Sequence, residues 1–134
     1  MNQSDDYLDK IRHIQDEINY LSNKLKKSTH DKFIKDETLK RAFVRSLEII
    51  GEAVKSIPKK VCEQYSQIEW NKIAGMRDKL IHHYFGVDYD LVWDIVENHI
   101  PKLREIIKHI SFLILRDFVL RAYNNWSTNL LQGA

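Results

Sequence analysis

Apolar residues recur at intervals of three and four along most of this chain, and that spacing constrains its fold more than any other feature of the sequence. Four runs carry the pattern: Tyr7 to Leu25, about Asp36 to Ile57, about Glu69 to Tyr84, and Leu91 to Ile110. Each run predicts a helix with one buried face. Because only 4 glycines and 2 prolines interrupt 134 residues, we expect one mostly helical domain rather than a sheet protein.

The two prolines predict where helices end or bend. Pro58 should close the second helix, and residues 59–67 are expected to form a connector that holds a single helical turn. Pro101 lies inside the fourth run and should kink that helix or split it at Ile100, because proline cannot donate the helical hydrogen bond.

One glycine, Gly75, lies within the third run, and another, Gly86, follows its end. Gly75 costs helix propensity, and its missing side chain is expected to permit close approach of another helix. Gly86 favours a left-handed end to the third helix, and Asp88 favours the N-cap of the fourth.

Beyond Ile110 the chain is again apolar from Phe112 to Leu120. This run is too short and too charged to span a bilayer. We expect residues 1–110 to form the main domain and residues 111–134 to be an extension that continues the last helix. Because the apolar residues nearly encircle that helix, the extension should pack against a second subunit or another protein.

The third run contains an arginine at a position where an apolar residue is expected. Projected at about 100° per residue, eight apolar residues share one broad face. They are Trp70, Ile73, Ala74, Met76, Leu80, Ile81, Tyr84 and Phe85. Arg77 falls at the centre of this face. Since an unpaired charge against apolar neighbours is costly, Arg77 should meet a carboxylate, a second subunit or an anionic ligand.

On the same ideal helix, Tyr84 lies in line with Arg77, whereas His82 lies about 140° away, one turn after Asp78. Arg77 and His82 can serve one site if the helix unwinds toward Gly86, or if two copies of the helix meet across a dimer axis. We favour the dimer.

A charged stripe on the second helix offers partners for this arginine. Arg41, Arg45, Glu48 and Glu52 follow one another at helical spacing. Most such stripes are surface ion pairs that contribute little to stability. The functional interpretation is that Glu48 or Glu52 faces the third helix and orients Arg77.

An arginine, a histidine and a hydroxyl form a minimal set for cleaving a phosphodiester without a metal ion or other cofactor. The imidazole moves a proton near neutral pH, and the guanidinium grips phosphate oxygens as charge builds. RNA supplies its own nucleophile, the 2′-hydroxyl. We therefore expect a cyclic phosphate and a 5′-hydroxyl as products.

Other readings of these residues stay open. His82 and His83 are adjacent, so on a helix they point about 100° apart and do not chelate one metal ion. A lone histidine on a polar face is more often a solvated side chain, and Tyr84 on an apolar face is more often part of the core.

Charge and cysteine content bound the partners and the compartment. The net charge of +2 does not indicate a DNA-binding protein, and any contact with RNA must be local. A single cysteine, with no signal peptide and no membrane span in view, leads us to expect a soluble protein of the reducing cytoplasm.

Several motifs together resemble one known family. Arg77, His82 and Tyr84 match the Arg-x-x-x-x-His-x-Tyr motif of the HepT-like toxins in the HEPN superfamily. Segments 45–53, 70–77 and 84–88 also look like that family, as does Val92-Trp93 followed by Pro101. The resemblance covers roughly residues 5–110.

The resemblance implies an antiparallel four-helix bundle that forms a homodimer, with Arg77 and His82 of both subunits lining one RNA-cleaving cleft and Asp78 assisting. It implies the toxin of a type VII-like toxin–antitoxin system. The antitoxin in that family is an MNT-type minimal nucleotidyltransferase, which transfers AMP from ATP to the motif tyrosine, here Tyr84. The added bulk and negative charge would block the place of an RNA phosphate.

A second hypothesis comes from a different class of protein. Some HEPN proteins are noncatalytic partners, so the chain could be a helical adaptor that binds a nucleotidyltransferase through the same surface. In that case Arg77 would be paired with Glu48 or Glu52 for structural reasons, and no RNA would be cleaved.

Overall fold

The computed structural model describes the backbone of residues 3–82 and 86–133, and the side chains of residues 7–80 and 86–133. Within these ranges the elements follow in this order: α1 (Gln3–Lys26), α2 (His30–Lys35), α3 (Glu37–Val54), α4 (Lys59–Gln64), α5 (Trp70–Ala74), α6 (Met76–Leu80), β1 (Ile81–His82), β2 (Gly86–Val87), α7 (Tyr89–Asp94), a π-helical turn (Ile95–His99) and α8 (Ile100–Gln132). The only strands in these ranges are two residues long. The prediction of an all-α fold is confirmed.

The core lies between the three long helices. α1 packs along α3 and α8, and α3 also packs against α5 and α6. The predicted seam of α1 is buried, with Ile11, Ile14 and Leu21 fully enclosed. These residues meet buried leucine and isoleucine side chains of α3 and α8 in one contiguous cluster.

A short helix was missed by the sequence analysis. We expected the second helix to begin near Asp36, but α2 precedes it. The side chain of Thr29 accepts a hydrogen bond from the Lys32 amide at 3.3 Å, and Asp36 caps α3 by accepting one from the Leu39 amide at 2.9 Å. α2 buries Phe33 completely. Six residues are too few to display a helical period, so the pattern gave no sign of α2.

The connector after Pro58 behaves as predicted, and Pro101 does so only in part. The fourth predicted helix is divided at Ile100 by a change of winding rather than by a break, because the π-helical turn runs directly into α8. Proline cannot donate the helical hydrogen bond, and the change of winding lies directly before it. The connector after Pro58 holds one short helix, α4.

The prediction of one continuous third helix from Glu69 to Tyr84 is wrong. The chain forms α5, breaks at Gly75, forms α6, and leaves the helix after Leu80. Gly75 adopts φ −91° and ψ 9° as the C-cap of α5, and its amide donates to carbonyl groups of that helix. The loss of helix propensity at glycine explains the position of the break.

α8 runs without interruption past the core. Ile110 is 2% exposed, and from Phe112 onward most side chains of α8 face solvent. Nine large apolar side chains in this part are more than half exposed: Phe112, Leu115, Phe118, Val119, Leu120, Tyr123, Trp126, Leu130 and Leu131. Their packing against a second subunit or another protein stays a prediction. Among the described helices, none is long and apolar enough to cross a membrane.

Candidate active site

α6 positions Arg77 on the surface of the chain. Met76 and Leu80, one turn apart, are 4% and 0% exposed and anchor α6 to the core. Arg77, Asp78 and Lys79 lie between them in sequence and are exposed. The prediction that Arg77 sits at the centre of the buried face is therefore wrong for the single chain. The break at Gly75 explains the difference, because α6 does not continue the helical phase of α5.

His82 does not share a helix with Arg77. After Leu80 the chain becomes extended, and β1 pairs antiparallel with β2, with His82 opposite Gly86. The Asp88 amide donates to the Leu80 carbonyl at 3.0 Å and closes the base of this pair. Gly86 adopts φ +77°, so its predicted left-handed conformation is confirmed, although it lies in a strand rather than at a helix end.

The change from helix to strand bears on how Arg77 and His82 could act together. The divergence of about 140° applied only to one continuous helix. Of the two alternatives, the unwinding of the helix toward Gly86 is present in the backbone. The second alternative, a dimer, is not tested by one chain and stays a prediction.

Two of the predicted site residues fall partly or wholly outside the described part. The side chain of His82 is not described, and Tyr84 lies outside the described residues altogether. Their predicted roles therefore stay predictions. What the structure does describe is the frame around them, formed by α6 before them and by β2 and α7 after them.

Gly51 on α3 allows α5 to lie unusually close. A Cβ atom built on Gly51 would lie 2.9 Å from the backbone carbonyl oxygen of Ile73 in α5. At Gly75 such an atom would meet only the Asn71 carbonyl of its own helix, at 3.3 Å. The predicted close approach therefore occurs at a different glycine. Gly51 sets the distance between the core and the segment that leads to Arg77.

Trp70 fixes the other end of that segment. Its indole Nε1 donates to the carbonyl oxygens of Cys62 at 3.1 Å and Tyr65 at 3.0 Å. Both acceptors lie in the connector before α5. The sequence placed Trp70 on an apolar face, and its polar role has no signature in the spacing. On the far side of the site, Asp88 caps α7 by accepting from the Leu91 amide at 3.0 Å, as predicted.

Glu48 and Glu52 have nearer partners than Arg77. Glu48 Oε2 lies 3.6 Å from Arg45 Nη1, and Glu52 Oε2 lies 3.0 Å from Lys55 Nζ. Among the described side chains, neither carboxylate lies within ion-pair distance of the Arg77 guanidinium. In the single chain both match the surface-pair interpretation. An Arg-orienting role for either residue stays a prediction.

The segment that carries Arg77 has two further cationic side chains, Lys72 on α5 and Lys79 on α6. Lys72 Nζ lies 2.7 Å from Glu69 Oε1. The hydrogen bond and charge of Lys72 lower the pKa of Glu69, and Lys79 contributes to the same lowering. Lys79 is thus within electrostatic range of the pair. Arg77 and Lys79 together present exposed positive charge, which suits the phosphates of a nucleic acid.

Comparisons with known proteins point to one family. The family model described as “Ribonuclease HepT-like” matches residues 5–110. “Putative RNase TTE0752” of Caldanaerobacter subterraneus subsp. tengcongensis is 50% identical over 100 residues, covering 75% of this chain and 89% of the relative. “Putative RNase MJ0127” of Methanocaldococcus jannaschii is 49% identical over 87 residues, covering 62% and 72%. “Probable ribonuclease HepT” of Thermococcus cleftensis is 38% identical over 96 residues, covering 72% and 87%. No solved structure matches the chain significantly.

Proposed function

Because the chain belongs to the HepT-like family of ribonucleases, we propose that it is an endoribonuclease that cleaves RNA without a metal ion. The observation that carries this proposal is an exposed Arg77 on α6, followed directly by the turn into the strand that contains His82. The guanidinium is accessible to a phosphate, and His82 follows it five residues later in the sequence.

In the proposed reaction the ribose 2′-oxygen attacks the adjacent phosphorus. A bond forms between the 2′-oxygen and phosphorus, and the bond from phosphorus to the 5′-oxygen breaks. The 2′-hydroxyl loses its proton to a base, and the leaving 5′-oxygen gains a proton from an acid. Two His82 imidazoles, one from each protomer, fill these two roles. The products are a cyclic phosphate and a 5′-hydroxyl.

Arg77 stabilises the transition state of this reaction. Its guanidinium donates two parallel hydrogen bonds to the phosphate oxygens, where negative charge increases as the 2′-oxygen attacks. Asp78 assists from the adjacent position, where its carboxylate is exposed. Lys79 adds positive charge that holds the flanking phosphates.

The proposed site belongs to a homodimer. Arg77 is exposed in the single chain, so a second protomer can approach it without displacing a core contact. Two copies of α6 and β1 would then enclose one cleft with both arginines and both histidines. This arrangement supplies the acid and the base that the reaction needs.

We further propose that the protein is the toxin of a type VII-like toxin–antitoxin pair, in the cytoplasm. The antitoxin would be an MNT-type nucleotidyltransferase that transfers AMP from ATP to Tyr84. The phosphate of AMP would put negative charge on Tyr84, which follows Arg77 by seven residues in the sequence. It would compete with an RNA phosphate for the guanidinium and block cleavage.

Cleavage assays on purified variants test the nuclease. Arg77→Ala is expected to lower the cleavage rate by about 10²–10³-fold, and His82→Ala by about 10²–10⁴-fold. Matched controls are Arg41→Ala and His99→Ala, which remove the same groups from exposed positions on α3 and the π-helical turn. Both controls should cleave as fast as the parent.

Two outcomes would count against the proposal. If His82→Ala cleaves RNA as fast as the parent, His82 is not the proton carrier. If the parent protein, free of AMP, cleaves none of a diverse set of RNAs, the adaptor hypothesis replaces the nuclease.

A further inference from the structure

The second half of α8 leaves the domain as a free helix. We call residues 111–132 the arm. It follows Ile110, the last fully buried residue of α8, and it extends for about 33 Å at 1.5 Å per residue. The family match also ends at residue 110. Apart from Ile114, which still packs against the core, the arm lies outside the core and outside the region shared with the family.

The exposed apolar side chains of the arm lie on one side. At about 100° per residue, seven of the nine fall within an arc of about 140°. Asp117, Arg121, Asn124 and Thr128 occupy the opposite side. The arc is also turned by about 120° from the row of α8 that enters the core. The domain itself therefore does not cover these seven residues, which we call the stripe: Phe112, Leu115, Phe118, Val119, Tyr123, Trp126 and Leu130.

The stripe is large enough to hold a stable interface. Its side chains are between 56% and 68% exposed, which corresponds to about 900 Å² of accessible surface on each chain. A standard protein interface buries about 800 Å² on each partner. Since every copy of the chain carries the same stripe, a second copy is an occupant with matching length and chemistry.

Four residues of the stripe, together with Ala122 in the same arc, repeat with coiled-coil spacing. Phe112, Leu115, Val119, Ala122 and Trp126 follow at intervals of three, four, three and four. This spacing lets side chains of one helix insert between those of another. From it we infer that the arm pairs with the arm of a second copy of this chain, with the two helices antiparallel.

The antiparallel direction follows from side-chain volume. With the two-fold axis between residues 120 and 121, Val119 lies opposite Ala122 and Leu115 lies opposite Trp126. Trp126 then meets the smaller Leu115 and Val119 meets the smaller Ala122, while Phe118 lies opposite Tyr123 beside them. In a parallel pair, two Trp126 rings would meet in one layer and two Ala122 methyl groups in another. That arrangement overfills one layer and leaves a cavity in the other.

The charges of the arm are compatible with this pairing and do not suit a lipid surface. In the antiparallel register, Arg116 lies opposite Asn125 and Asp117 lies opposite Asn124, so no like charges meet. Helices that lie on membranes carry many lysines and arginines on their polar side. The arm has only Arg116 and Arg121, with Asp117 between them.

Distances between spin labels test both the pairing and its direction. In a Cys62→Ser protein, one label is placed at Arg121→Cys or at Gln132→Cys. Antiparallel arms put the two labels about 2 Å apart along the axis at residue 121 and about 35 Å apart at residue 132. The distance measured at residue 132 should therefore be much the longer. Equal distances at the two sites would show a parallel pair and overturn the direction.

A matched pair of double variants tests the stripe itself. Leu115→Glu with Val119→Glu puts two negative charges on the stripe, and Thr128→Glu with Gln132→Glu puts two on the opposite side. The first pair should abolish the narrow distance peak at residue 121, and the second should preserve it. A peak that survives the first pair, or a parent protein without one, would overturn the proposal. Circular dichroism should show that both variants keep the helix content of the domain.

This inference does not rest on the proposed function. His82→Ala should leave the label distances unchanged, whatever its effect on RNA. Vesicle binding is the alternative outcome. If the parent binds anionic vesicles, the stripe variant does not, and the labels on the bound parent are no closer than on separate chains, then a membrane is the occupant and the pairing is overturned.

Discussion

The contact between Gly51 and α5 allows a prediction with a definite sign. At an unhindered position inside a helix, replacing glycine with alanine stabilises a protein by about 1 kcal/mol. In Gly51→Ala, the added methyl carbon would lie 2.9 Å from the Ile73 carbonyl oxygen. That atom belongs to the backbone, so it can retreat only if α5 moves.

The two effects can be weighed against each other. Overpacking a close contact between elements costs about 1–3 kcal/mol, and the gain in helix propensity offsets about 1 kcal/mol of that cost. The net result is a decrease of about 0–2 kcal/mol in the free energy of unfolding. At most other helical glycines the same substitution would increase it. For a chain of this size, each kcal/mol corresponds to a fall in Tm of about 3–5 °C. Because α5 leads into α6, the displacement should also move Arg77 and slow RNA cleavage.

Urea denaturation and thermal melting measure this effect, with Gly75→Ala as the matched control. At Gly75 the backbone φ is −91°, which alanine adopts readily, and the nearest contact is within the same helix. The control removes the helix-propensity cost of glycine and adds only one contact of 3.3 Å within its own helix, so it should melt at or slightly above the temperature of the parent. If Gly51→Ala melts at or above the temperature of the parent, α5 does not pack against Gly51 as described, and the account of how Arg77 is positioned fails with it.

Two further predictions concern charge and modification. The hydrogen bond and positive charge of Lys40, whose Nζ lies 2.6 Å from Glu37 Oε1, lower the pKa of Glu37. A lowered carboxyl pKa adds stability at pH values above the ordinary pKa of the group, and that stability disappears as the pH falls through the lowered value. Glu37→Gln should therefore melt at a lower temperature than the parent at neutral pH and at the same temperature in strong acid. An equal difference in melting temperature at all pH values would refute the linkage. Intact mass spectrometry of the protein made together with the proposed nucleotidyltransferase should show one AMP per modified chain and none on Tyr84→Phe; an AMP adduct on Tyr84→Phe would place the modification elsewhere.

Long periodic segments were predictable from the sequence because burial follows a repeat that many residues share. The seam of α1, including Ile11 and Leu21, and the division at Ile100 were both anticipated. In these places local preference and tertiary packing act in the same direction, so the pattern and the fold agree.

The segment around the candidate site was less predictable, and the reason is physical. A period read from Trp70 to Tyr84 assumes one unbroken helix, whereas a single glycine at position 75 interrupts it. Once the helix breaks, every angle measured across the break loses its meaning, including the one that put Arg77 on a buried face. The choice of the motif residues does not depend on this error, because it was made from residue type and order rather than from rotation, and their roles stay predictions.

The π-helical turn has a consequence for how the chain tolerates changes in length. From Ile95 to His99 the backbone bonds span five residues instead of four, so this turn accommodates one more residue than an α-helix would. Deleting one residue here would restore ordinary winding and leave the direction of everything that follows nearly unchanged, whereas the same deletion inside α8 would rotate the rest of that helix by about 100°. This turn is therefore the place where the chain can lose a residue while the same side of the last helix still meets the rest of the protein.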